Sequence, residues 1–235
     1  MSDRLYFRQL LSGRDFAQGD PIAGQMVNFA YLIGDRETGE AVVVDPAYAP
    51  AELVGIAAED GMRIVGALAT HHHPDHVGGS MAGFSLVGIA GLLEVADVPV
   101  HVHKAEAPYV QRVTGVGEGE LTSHDHQDVV TVGAIDIRLL HTPGHTPGSQ
   151  CFLVDGRLVA GDTLFLEGCG RTDFPGSDPG QMWDSLQQLA ALPDEVVVYP
   201  GHLYAPDAFA SLGEVKATNY VYRVHSREQW VSAFA

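Results

Sequence analysis

The densest chemistry in the chain lies at Thr70-His71-His72-His73-Pro74-Asp75-His76, with Val77-Gly78-Gly79 directly after it. Four imidazoles and one carboxylate within six residues make a donor set suited to a divalent transition metal, because both groups are good ligands for Zn or Fe. An extended chain sends alternate side chains to opposite faces, so His71 and His73 share one face and His72 takes the other. Pro74 ends the extended run and opens a helical turn, which sets Asp75 and His76 beside the first pair. His71, His73, Asp75 and His76 are therefore candidate ligands, and His72 is a structural neighbour. The run is internal, which separates it from an expression tag.

Three more positions share a local pattern. Thr142-Pro143-Gly144-His145-Thr146-Pro147-Gly148 holds a histidine in a tight loop, Asp162 follows Gly161, and His202 ends the run Tyr199-Pro200-Gly201-His202. All three belong to the strongly β half of the chain, and each places one ligand type at a strand terminus.

The elements that must position these residues are legible as two groups. Residues 64–69 are short and apolar and read as a strand buried on both faces. Residues 5–11, 29–34 and 40–45 supply further strands of a first sheet, and 50–60 a helix over it with Pro50 near its start and Gly61 as its stop. Residues 83–97 carry Phe84, Leu86, Val87, Ile89, Leu92, Leu93 and Val95, so the expectation is a helix apolar almost all round and buried in the core. A strand at 99–103 puts His101 and His103 on one face as structural residues, and 104–113 is an expected helix. Residues 115–128, rich in Gly and acids and holding His124, Asp125 and His126, read as an exposed loop. A second sheet follows from 129–132, 134–140, 150–154 and 157–160, with a hairpin turn at Asp155-Gly156. Asp178, Pro179 and Gln181 mark the start of a helix over 178–191 as cap, first residue and capping-box partner. Ser226 and Gln229 repeat that signature for a terminal helix stapled by Trp230 and Phe234. Sheets in both halves with helices outside predict an α/β protein, an αβ/βα four-layer sandwich of two mixed sheets, with the site at one edge between them.

Composition narrows the function classes. With 235 residues, 46% hydrophobic and 18% charged, the chain has material for a sizeable core, and no linker breaks residues 1–235 into separate domains. The formal net charge of -17 argues against nucleic acid or an anionic membrane as partner. No secretory leader or membrane-length apolar run is visible, and the two cysteines, Cys151 and Cys169, form no disulfide framework, so a cytoplasmic setting is expected.

Taken together, the motifs resemble the metallo-β-lactamase fold hydrolases over residues 28–204: His71-x-His73-x-Asp75-His76, His145 in a Thr-Pro-Gly-His-Thr turn, Asp162 after Gly161 and His202 in Pro-Gly-His follow that family's order. The resemblance implies two divalent metal ions, Zn in first place with Fe as the alternative. It implies one ion on His71, His73 and His145, the other on Asp75, His76 and His202, and Asp162 bridging them, with Asp75 and Asp162 as the catalytic carboxylates. Gly161-Asp162-Thr163-Leu164-Phe165, then Gly168-Cys169-Gly170-Arg171, resembles the glyoxalase II (hydroxyacylglutathione hydrolase) branch, and Gly201-His202-x-Tyr204 its substrate-contacting tyrosine segment. Thr172-Asp173-Phe174 resembles the persulfide dioxygenases instead.

What the resemblance implies is a binuclear hydrolase that cleaves a thioester, an acylated thiol, with a hydroxide generated at the metals. Arg171 is the candidate for an anionic group of the substrate, with a salt bridge holding its loop as the competing role, and Tyr204 is a second substrate contact. The expected partner is a small-molecule thioester or thiol conjugate; homo-oligomerisation is left open. Only 33 residues follow His202, from which weak preference for glutathione is expected. The alternative is a mononuclear iron persulfide dioxygenase, with His71, His145 and Asp162 as a two-His-one-carboxylate triad.

Overall fold

Alternation along buried strands sorts the apolar residues into three layers of core. In the strand Phe29–Asp35 every residue is buried. Phe29, Tyr31 and Ile33 face one way, and Ala30 and Leu32 the other, as a period of two requires. The computed structural model, which describes residues 3–234, places this strand inside a six-stranded mixed sheet. Its order is Leu5–Leu11, Phe29–Asp35, Glu40–Val44, Arg63–Leu68, Val100–His103 and Leu121–His124. The first three strands pair antiparallel and the rest parallel, with the helix Pro50–Glu59 crossing over between Glu40–Val44 and Arg63–Leu68.

The second six-stranded sheet runs Ala210–Ser211, Val197–Pro200, Arg157–Gly161, Gln150–Val154, Ile135–His141 and Val129–Val132. Asp155 and Gly156 both sit at positive φ, 43° and 75°, the backbone of a type I′ hairpin, whose second position glycine fills without a Cβ penalty. The helix Pro179–Ala190 carries the parallel crossover from Arg157–Gly161 to Val197–Pro200. Asp178 caps that helix through the Gln181 N–H at 2.9 Å.

Tyr31 and Ile33 of the first sheet pack with Ile137, Leu139 and Phe152 of the second in the central layer. Outside it, Leu53, Ile89, Leu92 and Val110 cover the first sheet, and Met182, Leu186, Val215 and Trp230 the second. This is the αβ/βα sandwich expected. Burying each large side chain of the central layer contributes about 2 kcal/mol, which makes the two sheets a stiff frame for whatever sits on their edge.

Three local expectations are corrected. Residues 83–97 do not form one buried helix: Phe84–Leu86 folds back on Gly79–Met81 as a hairpin, and only Ile89–Val95 is helical. Ala82 and Gly83 both take positive φ and turn the chain, and Phe84, Val87 and Val95 are left exposed. Residues 115–128 are not all loop, because Leu121–His124 adds a parallel edge strand to Val100–His103. Across the two strands His101 Nδ1 lies 2.9 Å from His124 Nε2. The capping box at 178–181 is half formed, since the Gln181 side chain reaches the Asp178 carboxylate at 3.5 Å. At the other end of the chain, Trp230 and Phe234 stack with ring centres 3.9 Å apart, the staple foreseen for the terminal helix. Sequence reading passed over the helices Pro21–Met26 and Leu212–Thr218.

Burial, then the neighbouring His124, lowers His101 to about 4. Between that value and the 6.5 of an unfolded imidazole, the unfolded chain binds more protons, so stability rises with pH and is lost as pH falls through the window. In metal-free protein, His101→Leu should flatten the stability slope between about pH 4.5 and 6 by about 1 kcal/mol per pH unit. Urea midpoints across that range check it, and an unchanged slope would mean that the folded imidazole takes up its proton normally.

Candidate metal centre

The site forms where four strand ends of the sandwich meet. After Leu68 the chain stays extended through Ala69 and Thr70, held to the second sheet by the Gln150 N–H on Thr70 O (2.9 Å) and Gln150 Nε2 on Ala69 O (2.9 Å). His73 then precedes the single helical turn Pro74–Val77, which Pro74 opens as expected. His145 lies in the loop between Ile135–His141 and Gln150–Val154, Asp162 follows Arg157–Gly161, and His202 follows Val197–Pro200. The His202 loop is tied to the first sheet by backbone bonds from Phe29 N to Gly201 O (2.8 Å) and from Leu203 N to Val27 O (3.0 Å).

All seven predicted ligand residues arrive at this edge. His71 Nε2 and His145 Nε2 stand 3.1 and 3.0 Å from His73 Nδ1. Beside them, His76 Nε2 lies 3.2 Å from His202 Nε2, with Asp75 Oδ2 3.6 and 3.5 Å from those two nitrogens. The donor atoms of His71, His73 and His145 fall within 4.8 Å of one another, and so do those of Asp75, His76 and His202. Asp162 reaches both groups, with Oδ1 3.4 Å from His76 Nε2, and Oδ2 3.4 Å from His202 Nε2 and 3.6 Å from His145 Nε2. Gly201 permits this approach, because a Cβ there would collide with Asp162 Oδ1.

A layer of hydrogen bonds behind the rings aims them. His145 Nδ1 donates to Arg171 O and His202 Nδ1 to Met26 O, each at 2.8 Å, while His76 Nδ1 faces Asp45 Oδ2 at 2.9 Å and His71 Nδ1 faces Thr70 Oγ1 at 3.0 Å. Occupying Nδ1 directs Nε2 and its lone pair to the centre. His73 alone presents Nδ1 there.

Two observations show that these residues fit a metal site. Asp162 Oδ1 is buried and has no hydrogen-bond partner, a costly state for a carboxylate oxygen unless a cation completes it. The electrostatics also call for added positive charge on one side. Burial opposes a charge on His76, yet Asp162, Asp75 and Asp45 outweigh it and raise that ring to about 10. Across the centre, burial and then His145 lower His73 to about 4, and burial with the neighbouring rings holds His71 well below the ordinary range. Neutral imidazoles are the form that ligates a cation.

His72 points away, as the strand phase requires. Its ring stacks on Tyr109 (4.9 Å between centres) and its Nδ1 lies 2.5 Å from Glu106 Oε1. Arg171 and Tyr204 line the mouth of the same cavity. Arg171 is held to Asp173 through Nε (2.8 Å) and Nη2 (2.6 Å), and Tyr204 stacks on the His202 ring at 4.6 Å. Cys169 also lines it, with burial raising its thiol to about 12, which keeps the thiolate nucleophile unpopulated. His101, His103, His124 and His126 lie outside the centre, and no further cluster of three metal-binding groups occurs among the described residues.

Sequence reading missed Asn28, Asp45 and Glu106. Asn28 Nδ2 lies 3.1 Å from Asp75 Oδ2, and its Oδ1 accepts from Tyr48. Asp45 also takes the Thr70 N–H and hydroxyl, at 2.8 and 2.6 Å. Its signal was available: an acid closing the apolar strand 40–44. Glu106 carried none, being a single acid within the helix expected over 104–113. It is buried and joins two ligand loops, taking the His72 N–H (2.7 Å) from one, and the Thr146 hydroxyl (2.8 Å) and Gly148 N–H (2.7 Å) from the other.

The chain belongs to the metallo-beta-lactamase superfamily, whose sequence model matches residues 23–202. It is similar to hydroxyacylglutathione hydrolase of Rhodopseudomonas palustris, 41% identical over 181 residues, covering 75% of this chain and 63% of that one. The chain thus spans less than two thirds of that relative's length. Over 87% of this chain and 85% of the other it is also 30% identical to the probable polyketide biosynthesis zinc-dependent hydrolase PksB of Bacillus subtilis. Among solved structures, ETHE1 from Myxococcus xanthus superposes with a TM-score of 0.77 at 31% identity, covering 97% of this chain and 89% of that one. No helix among the described residues is long and apolar enough to cross a membrane.

Glu106→Gln places an amide N–H2 among donors that need an acceptor. It should weaken metal binding by roughly 10- to 100-fold, the usual cost of losing an outer partner of a metal site. His72→Ala should keep most of its metal. Competition with a chromogenic chelator checks both, and wild-type affinity in Glu106→Gln would reduce the clamp to a fold contact.

Proposed function

We propose that this chain is a binuclear metal-dependent hydrolase of thioesters, and the observation that carries the reading is Asp162 touching both groups of ligands from one buried position. His71, His73 and His145 would hold one divalent cation, and Asp75, His76 and His202 the other, with Asp162 shared. Its relatives, one a hydroxyacylglutathione hydrolase and one a probable zinc-dependent hydrolase, support the same chemistry and favour zinc. Water adds to the thioester carbonyl, the C–S bond breaks with its electron pair on sulfur, and a carboxylate, a thiol and a proton result. The cations would supply Lewis acidity and water acidified toward a pKa of ~7.

The chain's own residues set the stage for that reaction. Burial works against ionised Asp162, but His202 and His76 prevail and hold it well below the ordinary carboxylate range, so it remains an anion able to share two cations. Asp75 is fixed for its place by the Asn28 amide. Burial raises the Tyr204 phenol to about 12, so it stays protonated and can donate to an oxygen of the substrate at the half-open mouth. Phe165 and Phe174 stand edge-on to His202 and His73, at 6.0 and 5.5 Å between ring centres, and set apolar surface beside the centre.

Zinc-loaded protein under anaerobic conditions should release free thiol from an acyl-thiol ester. Asp162→Ala should lower both bound metal and turnover by at least about 100-fold, since losing even an outer partner of a metal site costs up to that much. Oxygen uptake on a persulfide by iron-loaded protein, with no thioester cleavage by the zinc form, would overturn the hydrolase reading in favour of a dioxygenase.

A further inference from the structure

We infer that the cavity over the metal centre selects thioesters with an apolar acyl group on an uncharged thiol arm, in place of the anionic tripeptide thiol named in the relatives. The inference rests on the hydrolase reading for its reaction and on the cavity wall for its specificity. The cavity holds about 400 Å³, room for an acyl chain and part of a thiol carrier. Above the centre its wall is Met26, Met81, Phe165, Phe174 and Tyr204, all apolar or aromatic.

The wall has two features that call for an apolar occupant. Phe174 and Tyr204 remain 37% and 50% exposed, so they hold apolar surface at the mouth that a substrate chain would remove from water. The thioethers of Met26 and Met81 and the rings of Phe165 and Phe174 adapt to an alkyl chain by dispersion contact and impose no polar specificity on it. An occupant that left these surfaces wet would forgo most of the binding energy the cavity can supply.

Charge disfavours the anionic alternative. Apart from the cations the centre would hold, the one Lys or Arg in the cavity lining is Arg171, and its guanidinium is already engaged, through two bonds to Asp173 and by lying 4.3 Å over the Phe174 ring. A substrate carboxylate would have to share that guanidinium with Asp173, which already holds its Nε and Nη2 and offsets its charge. The formal net charge of -17 adds a long-range repulsion toward any anion approaching the mouth. A neutral arm meets neither cost.

The test uses uncleavable thioethers on metal-loaded protein, so that binding is read apart from turnover. S-alkyl-N-acetylcysteamines and S-alkylglutathiones with alkyl chains of two to six carbons are titrated calorimetrically. Affinity should rise about threefold per methylene in both series, the gain from burying apolar carbon. At each chain length the glutathione series should bind more weakly than the N-acetylcysteamine series, Phe174→Ala should flatten the chain-length slope, and Arg171→Ala should leave the order of the two arms unchanged. A flat chain-length series would overturn the inference. So would a tenfold preference for the glutathione arm that Arg171→Ala removes. Failure of the hydrolase reading shows separately: a steep thioether series on protein that cleaves no thioester leaves the cavity specificity standing and removes only the reaction.

Discussion

The constraint on which the rest of the structure depends is the crowding of lone pairs and carboxylate oxygens at one sheet edge. Five imidazoles and two aspartates converge there, with ring nitrogens as close as 3.0 Å and one buried carboxylate oxygen lacking a partner. Without added positive charge such a cluster repels itself, and several kcal/mol of packing must hold it assembled. The stiffness of the sandwich answers that need. Each donor leaves the end of a strand whose other residues are locked into the buried layers, so none can retreat without breaking a ladder.

The two sheets contribute unequally. The first supplies four of the seven donors from one seven-residue stretch after a single strand, and the second supplies three from three separate loops. A local cluster is set by backbone periodicity, whereas separate loops must be aligned with one another by contacts that reach across the fold. Glu106 links the first ligand loop to the His145 loop, the Met26 carbonyl steadies His202, and the Arg171 carbonyl steadies His145. Backbone carbonyls and a buried carboxylate serve here because they accept from Nδ1–H or from peptide N–H groups and leave Nε2 free.

How much of this could be seen in the sequence follows from the same distinction. His71, His73 and the off-face His72 came from strand period alone, and the Pro74 turn from its fixed φ. The assembly of His145, Asp162 and His202 with them came from motif order, since no spacing rule relates positions 69 or more residues apart in a fold not yet known. Asn28 and Glu106 stayed invisible because each acts through tertiary contacts across 47 and 34 to 42 residues and has no local pattern. The error over 83–97 has a different origin. Its apolar content was read as helical burial, but Ala82 and Gly83 turn the chain, and three of its large side chains ended at the surface.

That surface and the metal centre are continuous through Met81, which sits in the hairpin beside Phe84 and also lines the cavity. The centre is polar and rigid, held by hydrogen bonds to every histidine ring but one. The wall above it is built of methionine and aromatic side chains, whose contacts are numerous, weak and non-directional. Reaction geometry is therefore controlled by parts of the fold that cannot adjust, and substrate fit by parts that can. On the proposed reading, exchanging Met26 or Met81 would change the acyl group accepted and leave the donors in place, because neither side chain hydrogen-bonds to the ligand rings, whereas Phe174 packs against the His73 ring and couples fit to the centre.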